Sequence, residues 1–177
     1  MHRLFVALRP PPAMRQACLA AMEDGPPGWA WQDEEQLHLT LRYIGEVDRP
    51  VAEDVAAAFG SLHAPAIDLA LSGVGWFDHG PRGALFARVA PVEPLGALHI
   101  KLDRALIRAG LKPERRAFLP HITLARRRSS AVDPVGWLER NAGLASGAEP
   151  VTSITLYESH LSRHGPHYEE VAEYPFR

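Results

Sequence analysis

The stretch Pro120-His121-Ile122-Thr123-Leu124-Ala125-Arg126 decides how this chain is read, because Leu37-His38-Leu39-Thr40-Leu41-Arg42 repeats its grammar. Both run His-x-Thr-x with a bulky apolar residue at each x, and the two histidines are 83 residues apart. A β-strand places residues i and i+2 on one face. His38 and Thr40 therefore share a face, as do His121 and Thr123, while Leu39, Leu41, Ile122 and Leu124 turn back into a core. One such strand is commonplace. Two that face each other bring two imidazoles and two hydroxyls to one small volume.

That set of groups has a definite chemistry. An imidazole with a pKa near ~6.5 is a general base when neutral and a general acid when protonated. Two of them in opposite states can take a proton from an attacking hydroxyl and give one to a departing oxygen. Threonine hydroxyls donate to anionic oxygens. The arrangement suits in-line displacement at a phosphodiester, where placed protons and stabilised charge supply most of the catalysis. Zinc is poorly served, because two histidines lack a third ligand at metal spacing. His160, His164 and His167 flank a turn and fit no strong metal pattern, so no metal and no cofactor are expected.

Charge supports an anionic ligand. The net charge of −2 argues against a protein wrapped in nucleic acid. Within it, Lys101 to Arg128 holds nine basic side chains against only Asp103 and Glu114. A local positive field beside the second motif suits a phosphate.

The remaining chain sets the frame. With 177 residues, 46% hydrophobic and 23% charged, it fits one domain or one domain of two halves. No apolar run reaches the ~18 residues of a membrane span, and the N-terminal run is too short for a signal peptide. The lone Cys18 excludes internal disulfides and a thiolate cluster, and it sits in a helical context as a packing residue. A soluble, cytoplasmic, monomeric protein is the expectation.

Strands are expected at 3–8, 29–31, 37–44, 66–71, 83–89, 120–125, 151–161 and 168–176. Helices are expected at 13–23, 51–59 (Asp48 as cap), 95–109 (closed by Gly110) and 135–141. This interleaving predicts an α+β fold: two mostly antiparallel sheets facing a central polar cleft, with helices outside. Residues 1–177 would form one bilobal domain, each lobe supplying one His-x-Thr-x strand.

The paired motifs, with Arg3-Leu4-Phe5-Val6-Ala7-Leu8, Arg42-Tyr43-Ile44-Gly45-Glu46-Val47, Pro113 to Arg126 and Ile154 to Leu161, carry a resemblance that runs almost end to end. The chain resembles the two-histidine phosphoesterase superfamily. Within it, it is similar to the LigT-like (ThpR) RNA 2',3'-cyclic phosphodiesterases, also described as 2'-5' RNA ligases. The resemblance implies a bilobal α+β fold with a water-filled cleft and no metal. It implies hydrolysis of an RNA 2',3'-cyclic phosphate end to a 2'-phosphomonoester. By it His38 is the proton donor to the leaving 3' oxygen, His121 the proton acceptor that activates water, and Thr40, Thr123 and Arg126 hold the phosphate. The motifs are symmetric, so the two histidine roles exchange in the reverse reaction, 2'-5' ligation of tRNA halves. A non-catalytic RNA-end-binding module is the remaining alternative.

Softer candidates follow from the strand faces. Strict alternation puts Arg126 away from His121 and Thr123, so the strand must end, bulge or twist there for it to meet phosphate. The same alternation puts Arg42 on the His38 face as a phosphate contact. Phe5, Phe86 and Tyr157 lie opposite their strands' aliphatic residues and are candidates to stack a terminal base. Arg127 and Arg128 are candidates for the RNA backbone, with plain surface charge the competing reading. His99 and the four tryptophans read as structural.

Overall fold

The computed structural model of the protein describes residues 1–177. Nine strands and four α-helices alternate along the chain. The first half runs β1 (His2–Leu8), α1 (Pro12–Glu23), β2 (Trp29–Trp31), β3 (Leu39–Val47), α2 (Arg49–Gly60), β4 (Ile67–Phe77) and β5 (Ala84–Ala90). The second half runs α3 (Val92–Arg108), β6 (His121–Arg127), α4 (Val135–Arg140), β7 (Glu149–Val151), β8 (Ser153–Ser162) and β9 (Gly165–Pro175). The expected strand at 151–161 is divided at Thr152. Val151 pairs with Ile67 of β4, whereas Ser153 onward pairs with β9.

The strand order is β7-β4-β5-β6-β3-β1-β8-β9, every pair antiparallel, with β2 added beside β6. The α+β architecture with helices outside the strands is as expected, and the two halves of the sheet are joined along one seam. That seam is a single residue pair, Leu39 with Ile122, between the two motif strands. A seam this narrow lets the halves curl toward each other and leave a cleft above it.

Burial explains why these segments hold together. From Leu4 onward β1 is apolar because both its faces are covered: Leu4, Val6 and Leu8 join the main core, and Phe5 and Ala7 form a second cluster with Tyr157. Helices α2 and α3 pack against each other, α2 against β1 and β9, and α3 against β3. At the other end Trp137 of α4, 1% exposed, donates from its indole nitrogen to Ala21 O of α1. Asp48 caps α2 by accepting from Val51 N at 3.1 Å. Gly110 follows α3 at φ +98°, a left-handed conformation that glycine adopts without strain. Cys18 is fully buried, as a packing residue should be.

Candidate active site

Leu39 and Ile122 are fully buried where β3 meets β6. Their neighbours therefore face the opposite side, and the antiparallel register carries each histidine toward the other strand's threonine. His38, Thr40, His121 and Thr123 line one cleft of about 410 Å³.

The two imidazoles are held alike. His38 Nδ1 lies 2.7 Å from Gln36 O, and His121 Nδ1 lies 2.6 Å from Leu119 O. A carbonyl only accepts, so Nδ1 donates in both rings and Nε2 carries the lone pair. Each ring also stands between two aromatics. Phe5 and Tyr168 are 4.9 and 5.0 Å from His38. Phe86 and Phe77 are 5.2 and 5.3 Å from His121. Phe86 has room because its cross-strand neighbour is Gly75, where a Cβ would come within 2.7 Å of the ring.

The same walls set the protonation states. Burial pushes His38 down to about 4; the Gln36 carbonyl opposes this, while Arg126, His121 and Arg9 add to it. Burial also lowers His121, against the Leu119 carbonyl and with help from Arg126. Both rings are therefore neutral at pH 7 in the free protein, with Nε2 as an acceptor. A consequence for stability follows. An unfolded histidine gains its proton near ~6.5, whereas folded His38 resists it until about 4, so acid favours unfolding across that window. Stability from this residue is complete above pH 6.5 and is lost as pH falls toward 4. The variant H38Q should lose less stability than the parent between pH 7 and pH 5 in urea melts; equal losses would contradict this.

Arg126 lines the cleft, and its charge reaches His38, His121 and Tyr168. The route is a bulge. On β5, Phe86 pairs with Thr123 and Leu85 with Ala125, so Leu124 is the extra residue. Leu124 and Ala125 both turn to the core, and Arg126 comes round to the cleft.

An equivalent bulge corrects the reading of Arg42. Ala7 pairs with Thr40 and Val6 with Arg42, so Leu41 is extra and Arg42 lies on the core face with Val6. Its guanidinium is 7% exposed, 2.9 Å from Asp103 Oδ1 and 2.6 Å from Lys112 O, and it also donates to Tyr43 O. Arg42 ties α3 and the 112–114 turn to β3 and is not free for a phosphate. His99 is structural as expected, with Nδ1 2.6 Å from Leu41 O and its ring stacked on Phe118 at 4.5 Å.

The aromatic candidates are also corrected. Phe5, Phe86 and Tyr157 do lie on the cleft side, but they are 4%, 1% and 6% exposed. Phe5 and Phe86 are walls behind the histidines, and Tyr157 stacks on Phe5 at 5.2 Å. None offers an open face to a base. Arg127 is similarly committed: it bonds Asp78 Oδ1 at 2.7 Å and Gly80 O at 2.9 Å, with Trp29 and Trp76 each 5.4 Å away. It secures the loop that brings His79 and Arg82 to the cleft. Arg128 borders a separate hollow beside Trp29 and Trp76.

Several cleft residues escaped the sequence reading. Tyr168 and Phe77 lie far along the chain from either motif, and only tertiary packing brings them to the rings. Arg82 and Arg116 line the cleft, and Arg9 stands near His38 with its guanidinium 2.9 Å from Glu35 O. The positive segment pointed to Arg116; nothing local marked Arg9 or Arg82.

A duplicated His-x-Thr strand pair above a basic cleft, on an antiparallel sheet backed by helices, defines a two-histidine phosphoesterase architecture. The chain belongs to the 2'-5' RNA ligase superfamily, which it matches over residues 7–165. It is 32% identical over 145 residues to an RNA 2',3'-cyclic phosphodiesterase of Aeropyrum pernix, covering 80% of this chain and 82% of that one. It is 32% identical over 191 residues to the Thermus thermophilus RNA 2',3'-cyclic phosphodiesterase, covering 99% and 90%. Among solved structures, Escherichia coli LigT complexed with 3'-AMP superposes with a TM-score of 0.78 at 25% identity, covering 99% of this chain and 98% of that one.

Proposed function

We propose that this protein hydrolyses RNA 2',3'-cyclic phosphate ends to 2'-phosphomonoesters without a metal. The observation that carries the reading is the pair of histidines in one cleft, each with Nδ1 fixed on a carbonyl and Nε2 available. The names of the relatives supply the substrate class.

In the proposed reaction His121 Nε2 takes a proton from water as its oxygen attacks phosphorus. The P–O3' bond breaks, and His38 Nε2–H gives its proton to the departing 3' oxygen. The phosphate stays on O2'. Thr40 and Thr123 donate to the non-bridging oxygens, and Arg126 offsets their charge. Hydrolysis of the ring leaves His121 protonated and His38 neutral, and solvent restores the starting pair.

His38 must be protonated to act as the acid, yet burial keeps it neutral. The anionic phosphate supplies the missing counter-charge and raises its pKa. Binding of a cyclic phosphate end at pH 7 should therefore take up a proton, and affinity should weaken as pH rises. Calorimetry in buffers of different ionisation enthalpy measures this; no buffer dependence would contradict the assignment.

An RNA 5' hydroxyl in place of water would follow the same path, with His121 taking its proton as P–O3' breaks and His38 protonating O3', giving a 2'-5' linkage. A cytoplasmic monomer acting on free RNA ends is the setting we infer; no helix is long and apolar enough to cross a membrane. The direct test is incubation of an oligonucleotide ending in a 2',3'-cyclic phosphate with the protein in excess EDTA. The expected product is heavier by one water. Intact, tightly bound starting material would instead indicate an RNA-end-binding module.

A further inference from the structure

The β8–β9 hairpin has two faces with different contents. Tyr168, opposite Ser159, faces the cleft and touches His38. The other face carries Glu158 directly across from Glu169, and His160 directly across from His167. Like charges placed directly opposite each other on an antiparallel ladder repel. Here two carboxylates hold that position, each with an imidazole beside it. His160 Nε2 is 2.9 Å from Glu169 Oε2, and His2 Nδ1 on the adjoining strand is 2.8 Å from Glu158 Oε1. One ligand atom each from Glu158, His160 and Glu169 lies within 4.8 Å of the other two. The His167 ring is 6.4 Å from that of His160, adding a second imidazole to the same face.

We propose that this outer face is a binding site for a divalent transition ion, Zn2+, with Glu158, His160 and Glu169 as ligands. A cation between the two carboxylates removes their repulsion. An imidazole nitrogen with two carboxylate oxygens is a donor set for Zn2+, whereas Mg2+ and Ca2+ favour oxygen alone. His2, bonded to Glu158, orients that carboxylate from outside the ligand set. The bound ion clasps β8 to β9 at the position whose opposite face supports His38. It has no part in the chemistry of the cleft, and the proposal stands whether or not the cyclic-phosphate reading does.

The test is calorimetric titration of the full, tag-free, metal-stripped chain with zinc chloride, with thermal melts run alongside. The expected result is one saturable equivalent of Zn2+ and a raised melting midpoint, with Mg2+ giving neither. H160A and E169Q should remove the binding, and H2A should weaken it about tenfold or more, as loss of an outer partner does. H38A and H121A should leave it unchanged. Absence of saturable binding, its persistence in H160A, or its loss in H38A would each overturn the proposal.

Discussion

Replacing His38 or His121 with Ala should lower cyclic-phosphate hydrolysis by about 10² or more, the usual contribution of a positioned acid or base. The fold should survive, because neither ring belongs to the hydrophobic core and each closes one face of an open cleft. Both variants must be compared, since the proposed reaction uses the two groups in complementary protonation states. With both present, kcat should rise and then fall with pH, and each single variant should lose one limb of that profile. Single-turnover rates across pH, together with thermal melts, separate lost chemistry from lost structure. Full activity in either variant would remove that histidine from the mechanism.

Arg42 should show the opposite pattern. Its guanidinium is buried against Asp103, which is itself mostly covered, and it also satisfies the Lys112 and Tyr43 carbonyls. R42A takes the charged partner from Asp103, which keeps only the Glu114 N–H, and the donor from two carbonyls, a loss of about 3–5 kcal/mol for a buried pair broken on one side. Replacing both partners, as in R42M/D103L, should recover part of that stability, because the Asp103 charge is removed together with its partner. Urea unfolding of R42A, D103L and the double variant measures the effect. If Arg42 instead met phosphate, R42A would keep its stability and lose substrate affinity.

Arg42 and Arg126 together show where reading the sequence stops. Alternation placed His38, Thr40, His121 and Thr123 together, because each pair is only two residues apart and no irregularity intervenes. One residue beyond each threonine the strand bulges, at Leu41 in β3 and Leu124 in β6. A bulge shifts every later side chain to the other face. Arg42, counted into the cleft, goes to the core; Arg126, counted out, comes in. The bulge has no local signature here: Leu-Arg and Leu-Ala are ordinary strand dipeptides. The duplication offered a hint, since the bulge that turns Arg126 into the cleft recurs at the same place in the other motif strand.

The aromatics failed for a different reason. Alternation gives the face of Phe5 and Phe86 but not their depth. Depth depends on what packs over each ring, and Tyr168 covers Phe5 as Phe77 covers Phe86. The helices were clearer, because proline, Asp48 and Gly110 mark their ends by local chemistry. The metal reading was limited in the same way as the bulges. Alternation already puts Glu158 on the face of His160, but only the hairpin register brings Glu169 beside them.

The most direct measurement of the central claim is positional: which hydroxyl keeps the phosphate after turnover. An oligonucleotide ending in a 2',3'-cyclic phosphate is treated with the wild-type protein, and the product is assigned by phosphorus NMR. The proposed roles of His38 and His121 predict a 2'-phosphomonoester with a free 3' hydroxyl. A 3'-phosphomonoester would contradict the assignment of His38 to the 3' oxygen, and an unchanged cyclic phosphate would contradict the phosphodiesterase itself.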